Sequence, residues 1–156
     1  MSGLTLEIFL ILGLLLANGL FAMAEIAVVA SRKARLKTMI EEGSSGAKLA
    51  LALSNAPGKF LSTVQVGITL VGVLAGAVGG GRIAEKLSPK IAHIPFLASQ
   101  ADLISLFIVV SLITYLSVVI GELIHKRIAL NNPERIASAM AKPMNGLSAL
   151  FSPIVN

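Results

Sequence analysis

The 156-residue sequence has no cysteine, no tryptophan and a single tyrosine, and only 13% of its residues are charged. Without cysteine there is no disulfide and no thiolate metal site, and nothing reports a redox compartment. The charged fraction is roughly half the ~25% of a soluble domain. No Lys or Arg precedes Arg32, so the apolar N-terminal run lacks the basic stretch that opens a secretory signal peptide. No nucleophile constellation or Walker motif is present. Gly79-Gly80-Gly81 closes an apolar run rather than following a strand, which argues against a phosphate loop. Nothing organises a substrate, so an enzyme is not expected. No repeat and no low-complexity tract is seen.

What remains is strongly apolar. Hydrophobic residues make up 55% of the chain and mean hydropathy is +0.86. Three runs, about 4–30, 60–80 and 103–121, approach the ~20 residues needed to cross a bilayer as a helix. The fold class expected is an all-α membrane protein of one domain over 1–156, with three transmembrane helices. Residues 31–56 read as a short helical pair, broken by the turn signals Gly43-Ser44-Ser45-Gly46 and Asn55-Ala56-Pro57-Gly58. Residues 143–155 are too few to span alone, and the region about 133–156 reads as a juxtamembrane helix. Ser88-Pro89 and Ile94-Pro95 are expected to break any long helix between the second and third spans.

The pI near 9.9 does not point to nucleic acid, because the basic residues sit beside the apolar runs. Arg32, Lys33, Arg35, Lys37, Lys48 and Lys59 follow the first run, and Lys126, Arg127, Arg135 and Lys142 follow the third. The segment 81–102 holds only Arg82, Lys86 and Lys90, partly offset by Glu85 and Asp102. The positive-inside rule then puts the N-terminus outside, the C-terminus in the cytoplasm, and the protein in the plasma membrane as a multi-pass chain.

Inside or at the edge of the apolar runs, three groups stand out: Glu25, Gln65 and Glu122. A carboxylate in hydrocarbon is costly and is kept where it faces a protein interior, a wet cavity or an ion. In the second run Ser62, Gln65, Thr69, Gly72 and Gly76 recur at helical spacing and share one face. Gly72, Gly76 and Gly80 form a small-xxx-small pattern that serves close helix packing. Asn18, Ala22 and Glu25 share a face of the first run, and Ser111, Thr114, Ser117 and Gly121-Glu122 mark the third. The topology lets Glu25, Gln65 and Glu122 meet at similar depth in the inner half of the membrane. The bland alternative has Glu25 and Glu122 at the interface, reaching toward Arg32 or Lys126. Carboxylate, amide and hydroxyl oxygens suit a hard cation such as Mg²⁺, Na⁺ or Ca²⁺. His93 and His125 fall on opposite sides and share no site.

The stretch Asn18-Gly19-Leu20-Phe21-Ala22-Met23-Ala24-Glu25-Ile26-Ala27, with Ser31-Arg32-Lys33-Ala34-Arg35-Leu36 after it, resembles the opening of the CorC/CNNM (cyclin M-like) transmembrane domain. Thr63-Val64-Gln65-Val66-Gly67-Ile68-Thr69-Leu70-Val71-Gly72 and Gly121-Glu122-Leu123-Ile124-His125-Lys126 resemble its later motifs, in order and spacing. The resemblance implies a homodimer of three-helix domains with an intracellular helical pair and a juxtamembrane helix belt. It implies Mg²⁺ efflux, proposed to be coupled to Na⁺. It also implies a cytoplasmic CBS-pair module that is absent from these residues. Carried over by position, the family's acidic residues fall on Glu25 and on Glu122 after Gly121. Ala22 and Ala24 stand where many members have serine, and Ile68 and Thr69 where some have asparagine. His125 stands where the family usually has proline. The expected cation site therefore rests on Glu25, Ser62, Gln65, Thr69, Gly121 and Glu122.

Mg²⁺ export is the leading expectation. Export of an organic cation, or a membrane anchor and sensor for a cytoplasmic module, are the alternatives. His125 adds a titratable group one turn from Glu122, so its protonation is expected to compete with a bound cation.

Overall fold

The computed structural model describes residues 3–155, and all of its regular structure is helical. Helix α1 (Gly3–Ala30) is the first span. Its buried face runs through Ile11, Leu15, Asn18 and Ala22, while Phe9, Leu12, Leu16 and Leu20 point outward. Apolar side chains on the exposed face suit lipid, which is as apolar as the leucines themselves. Among the described residues, three helical stretches are long and apolar enough to cross a membrane: Gly3–Ala30, Pro57–Ala92 and Ala98–Asn131. The chain is an all-α membrane protein.

The expected helical pair is present as α2 (Lys33–Glu41) and α3 (Ser45–Asn55). The turn between them follows from local chemistry. Gly43 takes φ 94°, a left-handed conformation that costs other residues more. The Gly43 and Ser44 N–H groups donate to the Ile40 and Met39 carbonyls, both at 2.9 Å, which closes α2 as a Schellman motif. Ser44 then caps α3, its hydroxyl accepting from the Ala47 N–H at 3.2 Å.

Helix α4 (Pro57–Ala92) starts with proline in its first turn, where the missing N–H is not needed. It is longer than the 60–80 run, and it corrects one expectation: Ser88-Pro89 does not break it. Pro89 lies in its last turn, and its missing N–H removes one helical hydrogen bond, the one to the Glu85 carbonyl on the preceding turn. There Ser88 donates to Asp102 at the start of the next span, and the His93 ring donates from Nδ1 to the Pro89 carbonyl at 2.6 Å. The chain turns over through Pro95 and a short 3₁₀ segment, Ala98–Gln100.

The third span is one continuous rod in three parts, extending beyond 103–121 on both sides. It comprises α5 (Ala101–Leu116), a π-helical segment (Ser117–Ile124) and α6 (His125–Asn131). Helix α7 (Pro133–Val155) completes the fold and contains Pro143 and Pro153; the expected bound at 156 lies outside the described residues.

The main core sits where α2, α3 and α7 meet the ends of the spans. Ala24, Ala27 and Val28 of α1 pack there with Leu36, Ala47, Ala50, Phe60, Val64, Ala129, Ala137, Ala141 and Met144. Alanine dominates, so backbones approach closely. A smaller cluster of Ala75, Ala84, Val109 and Ile113 joins α4 to α5. The helices are also tied by polar contacts at that packed end. Glu134 accepts from the Arg32 N–H at 3.1 Å and from its Nε at 3.4 Å, and the Thr63 and Ser148 hydroxyls hydrogen-bond at 3.2 Å. Burial alone works against ionised Glu134. The Arg32 backbone N–H, its own backbone N–H and the Arg32 guanidinium outweigh it and hold the carboxyl below its ordinary value.

Candidate functional site

Glu25, near the end of α1, and Glu122, in the π-helical segment, approach the same group. Lys126 Nζ lies 3.5 Å from Glu122 Oε2 and 3.9 Å from Glu25 Oε2. Glu122 and Lys126 are one turn apart on one rod, and α1 packs alongside it, so a single ammonium spans the two helices. This is the reach toward Lys126 that the interface alternative foresaw, but both carboxylates converge on one lysine.

Glu122 lies inside the π-helical segment. Widening the helix rotates everything beyond it relative to an α-helical course, and such segments recur at functional sites. Gly121 is buried against α1, where a β-carbon would stand 3.0 Å from Asn18 Nδ2. Asn18, 2% exposed, donates from Nδ2 to the Ser117 hydroxyl at 3.3 Å. Its Oδ1 is buried with no hydrogen-bond partner among the described residues. His125 does not interrupt the rod. Its Nδ1 donates to the Ile120 carbonyl at 2.8 Å, satisfying a group in the widened turn.

The two carboxylates line different cavities. Glu25 borders an open groove of about 770 Å³ whose other polar lining is Ser62, Gln65 and Thr69. Leu61, Val66, Leu70 and Val73 form the apolar lining. Glu122 borders a second cavity of about 280 Å³ with Asn18, Gly72, Gly76, Thr114 and Ser117. Five of the six residues of the expected site therefore border these two spaces or the lysine between them, while Gly121 serves helix contact. Ser62, Gln65 and Thr69 are exposed, on the outward side of α4. Thr69 donates its hydroxyl to the Gln65 carbonyl at 2.9 Å. No group of three or more His, Asp or Glu side chains suited to a metal ion occurs among the described residues.

Of the glycines assigned to packing, Gly72 and Gly76 have nothing within 4 Å of a β-carbon position, and Gly80 has only ordinary contacts at 3.8 Å. The close approaches inside the chain are elsewhere. Gly67 meets the Phe21 ring at 2.8 Å, Gly79 meets Ile11 at 2.8 Å and Ile113 closer still, and Gly19 meets His125. Sequence reasoning also missed the pairing of Glu7 with Arg82, at 2.7 Å, and of Glu134 with Arg32. The polar character of Glu7 within an apolar run was the available signal.

The family model described as the cyclin M transmembrane N-terminal domain matches residues 9–156. The UPF0053 protein sll0260 of Synechocystis is 48% identical over 154 residues, covering 99% of this chain and 34% of that protein. A polyamine export protein of Salmonella typhimurium is 35% identical over 149 residues, 96% of this chain and 33% of its own length. The UPF0053 protein YhdP of Bacillus subtilis is 29% identical over 138 residues, 88% of this chain and 31% of that protein. The chain spans about a third of the length of the curated relatives it matches.

Proposed function

This chain belongs to the cyclin M transmembrane N-terminal domain family, and from that premise we propose that it moves a cation across the membrane, with an organic ammonium ion as cargo. The observation that carries the reading is Lys126. Its alkylammonium already bridges Glu25 and Glu122, so the site accepts the chemical group that a polyamine would bring. The groove beside Glu25 pairs oxygen donors with an apolar wall, which suits amine nitrogens joined by methylenes. Similarity to proteins named polyamine export proteins supports the same cargo class.

A second reading, Mg²⁺ export coupled to Na⁺, draws on the oxygen donors of Glu25, Ser62, Gln65 and Thr69 along one groove. Mg²⁺ demands near-octahedral oxygens at about 2.0–2.1 Å and gives up water reluctantly. The ion would keep several waters here, with Glu122 joining once Lys126 moved away.

In either reading the N-terminus lies outside and the basic segments lie in the cytoplasm. Two copies pack through the small-residue stretch of Gly72 and Gly76 on α4, and a CBS-pair module follows in the longer protein. Proteoliposomes of the purified chain test this with labelled spermidine and with Mg²⁺, each with and without a Na⁺ gradient. Spermidine flux abolished by Glu25→Gln and by Glu122→Gln is expected. Mg²⁺ flux alone would select the second reading. Absence of both fluxes would leave the membrane anchor.

A further inference from the structure

The opposite end of the bundle repeats the chemistry of the Lys126 site with different residues. Glu7 lies in the second turn of α1, only 6% exposed. Its Oε1 accepts from Arg82 of α4 at 2.7 Å, while its Oε2 is buried with no hydrogen-bond partner among the described residues. A cavity of about 390 Å³ is bordered by Glu7, Arg82 and Glu85, with Leu6, Leu10 and Val78 among its apolar walls. Glu7 and Glu25 stand about 27 Å apart along α1 at 1.5 Å per residue, close to the ~30 Å of a hydrocarbon core. Each end of the span therefore holds two carboxylates and one basic side chain.

We propose that this cavity is a second ammonium-binding site, formed by Glu7 and Glu85 and covered by the Arg82 guanidinium. The inference rests on the cation-transport reading above and adds a station at the far end of the same route. A buried carboxylate with one oxygen unpaired has unused capacity for a cation. The Arg82 side chain is 71% exposed against 8% for Glu7, so the arginine is free to swing into solvent while the carboxylate stays. The occupant is an alkylammonium rather than a bare metal ion. Two carboxylates bind nitrogen, Leu6, Leu10 and Val78 take methylenes, and too few oxygens are present for a dehydrated divalent ion. Arg82 occupies Glu7 when the site is empty, as Lys126 does for Glu25 and Glu122. Both basic side chains then act as tethered substitutes for cargo.

The test is calorimetric titration of spermidine into the full chain in nanodiscs of zwitterionic lipid. Four proteins are compared: the unmodified chain, Glu25→Gln/Glu122→Gln, and that double variant with either Glu7→Gln or Arg82→Gln added. Two equivalents are expected for the unmodified chain and one for the double variant. Adding Glu7→Gln should abolish the remaining equivalent, and adding Arg82→Gln should tighten it several-fold. Glu85→Gln in the same background, expected to weaken it several-fold, replaces the Glu7 variant if that protein fails to fold. One equivalent in the unmodified chain and none in the double variant overturns the second site while leaving the transport reading intact. No binding by the unmodified chain overturns both. If Glu7 and Arg82 only staple α1 to α4, their variants lower Tm alike and leave the remaining affinity unmoved, which also overturns the proposal.

Discussion

The imidazole of His125 rests on Gly19, in the space where any other residue would carry its β-carbon. The ring is held there by its hydrogen bond to the Ile120 carbonyl, so it has little freedom to retreat. Gly19→Ala should therefore lower stability by about 1–3 kcal/mol, the usual range for overpacking, seen as a lower Tm. Placing Gly19→Ala in a His125→Ala background should recover most of that loss. A loss that persists without the ring would assign it to another contact.

Glycines differ here by what faces them. A β-carbon on Gly46 would collide with the Ser138 carbonyl oxygen, a backbone atom with no rotamer to escape into. Gly46→Ala should cost at least ~1–3 kcal/mol. Gly72→Ala meets nothing within 4 Å and should raise the stability of the monomeric chain by up to ~1 kcal/mol through helix propensity. Thermal unfolding of both in the same detergent checks the contrast. Self-association, measured by sedimentation, should weaken in Gly72→Ala because the proposed contact with a second copy runs through that glycine; unchanged association would place the contact elsewhere.

Lys126 competes with cargo for both carboxylates if transport proceeds as proposed. Lys126→Met keeps the aliphatic length and removes the charge. The KM for spermidine in proteoliposomes should fall several-fold. An unchanged KM would make the lysine a structural bridge only.

Glu134 links the start of α7 to Arg32, and its carboxyl titrates below the ordinary value near 4.5. A depressed folded value means that the unfolded chain takes up the proton first. The contribution to stability is full above the ordinary value and is lost as pH falls through the lower folded one. Tm should thus decline as pH drops from 5 to 3, and Glu134→Gln should flatten that part of the profile. A parallel decline in the variant would place the acid sensitivity elsewhere.

The helices were legible in the sequence because their signals are local. Gly43 and Ser44 mark the α2–α3 turn through backbone chemistry within a few residues, and Asn55-Ala56-Pro57-Gly58 marks the break after α3. Pro89 misleads because a proline removes a single hydrogen bond, to the carbonyl four residues before it, which a long helix packed along its length can absorb. Glu25 and Glu122 stand out by polarity in or beside an apolar run, yet neither a shared cation site nor a reach toward Arg32 or Lys126 foretells that both converge on one lysine. The packing role given to Gly72 and Gly76 has no counterpart inside the chain. Nothing in the sequence marks Gly19, Gly46 and Gly67 as contact points, because His125, Ser138 and Phe21, which face them, lie far away along the chain.

The amino-acid order alone determined that three rods of this length and apolarity form, since helix length and solvent preference depend on each segment's own residues. Only the tertiary structure decided which faces meet. The rotation and axial shift of one rod against another bring Lys126 between Glu25 and Glu122 and Arg82 onto Glu7, and a small change in either would separate those charges.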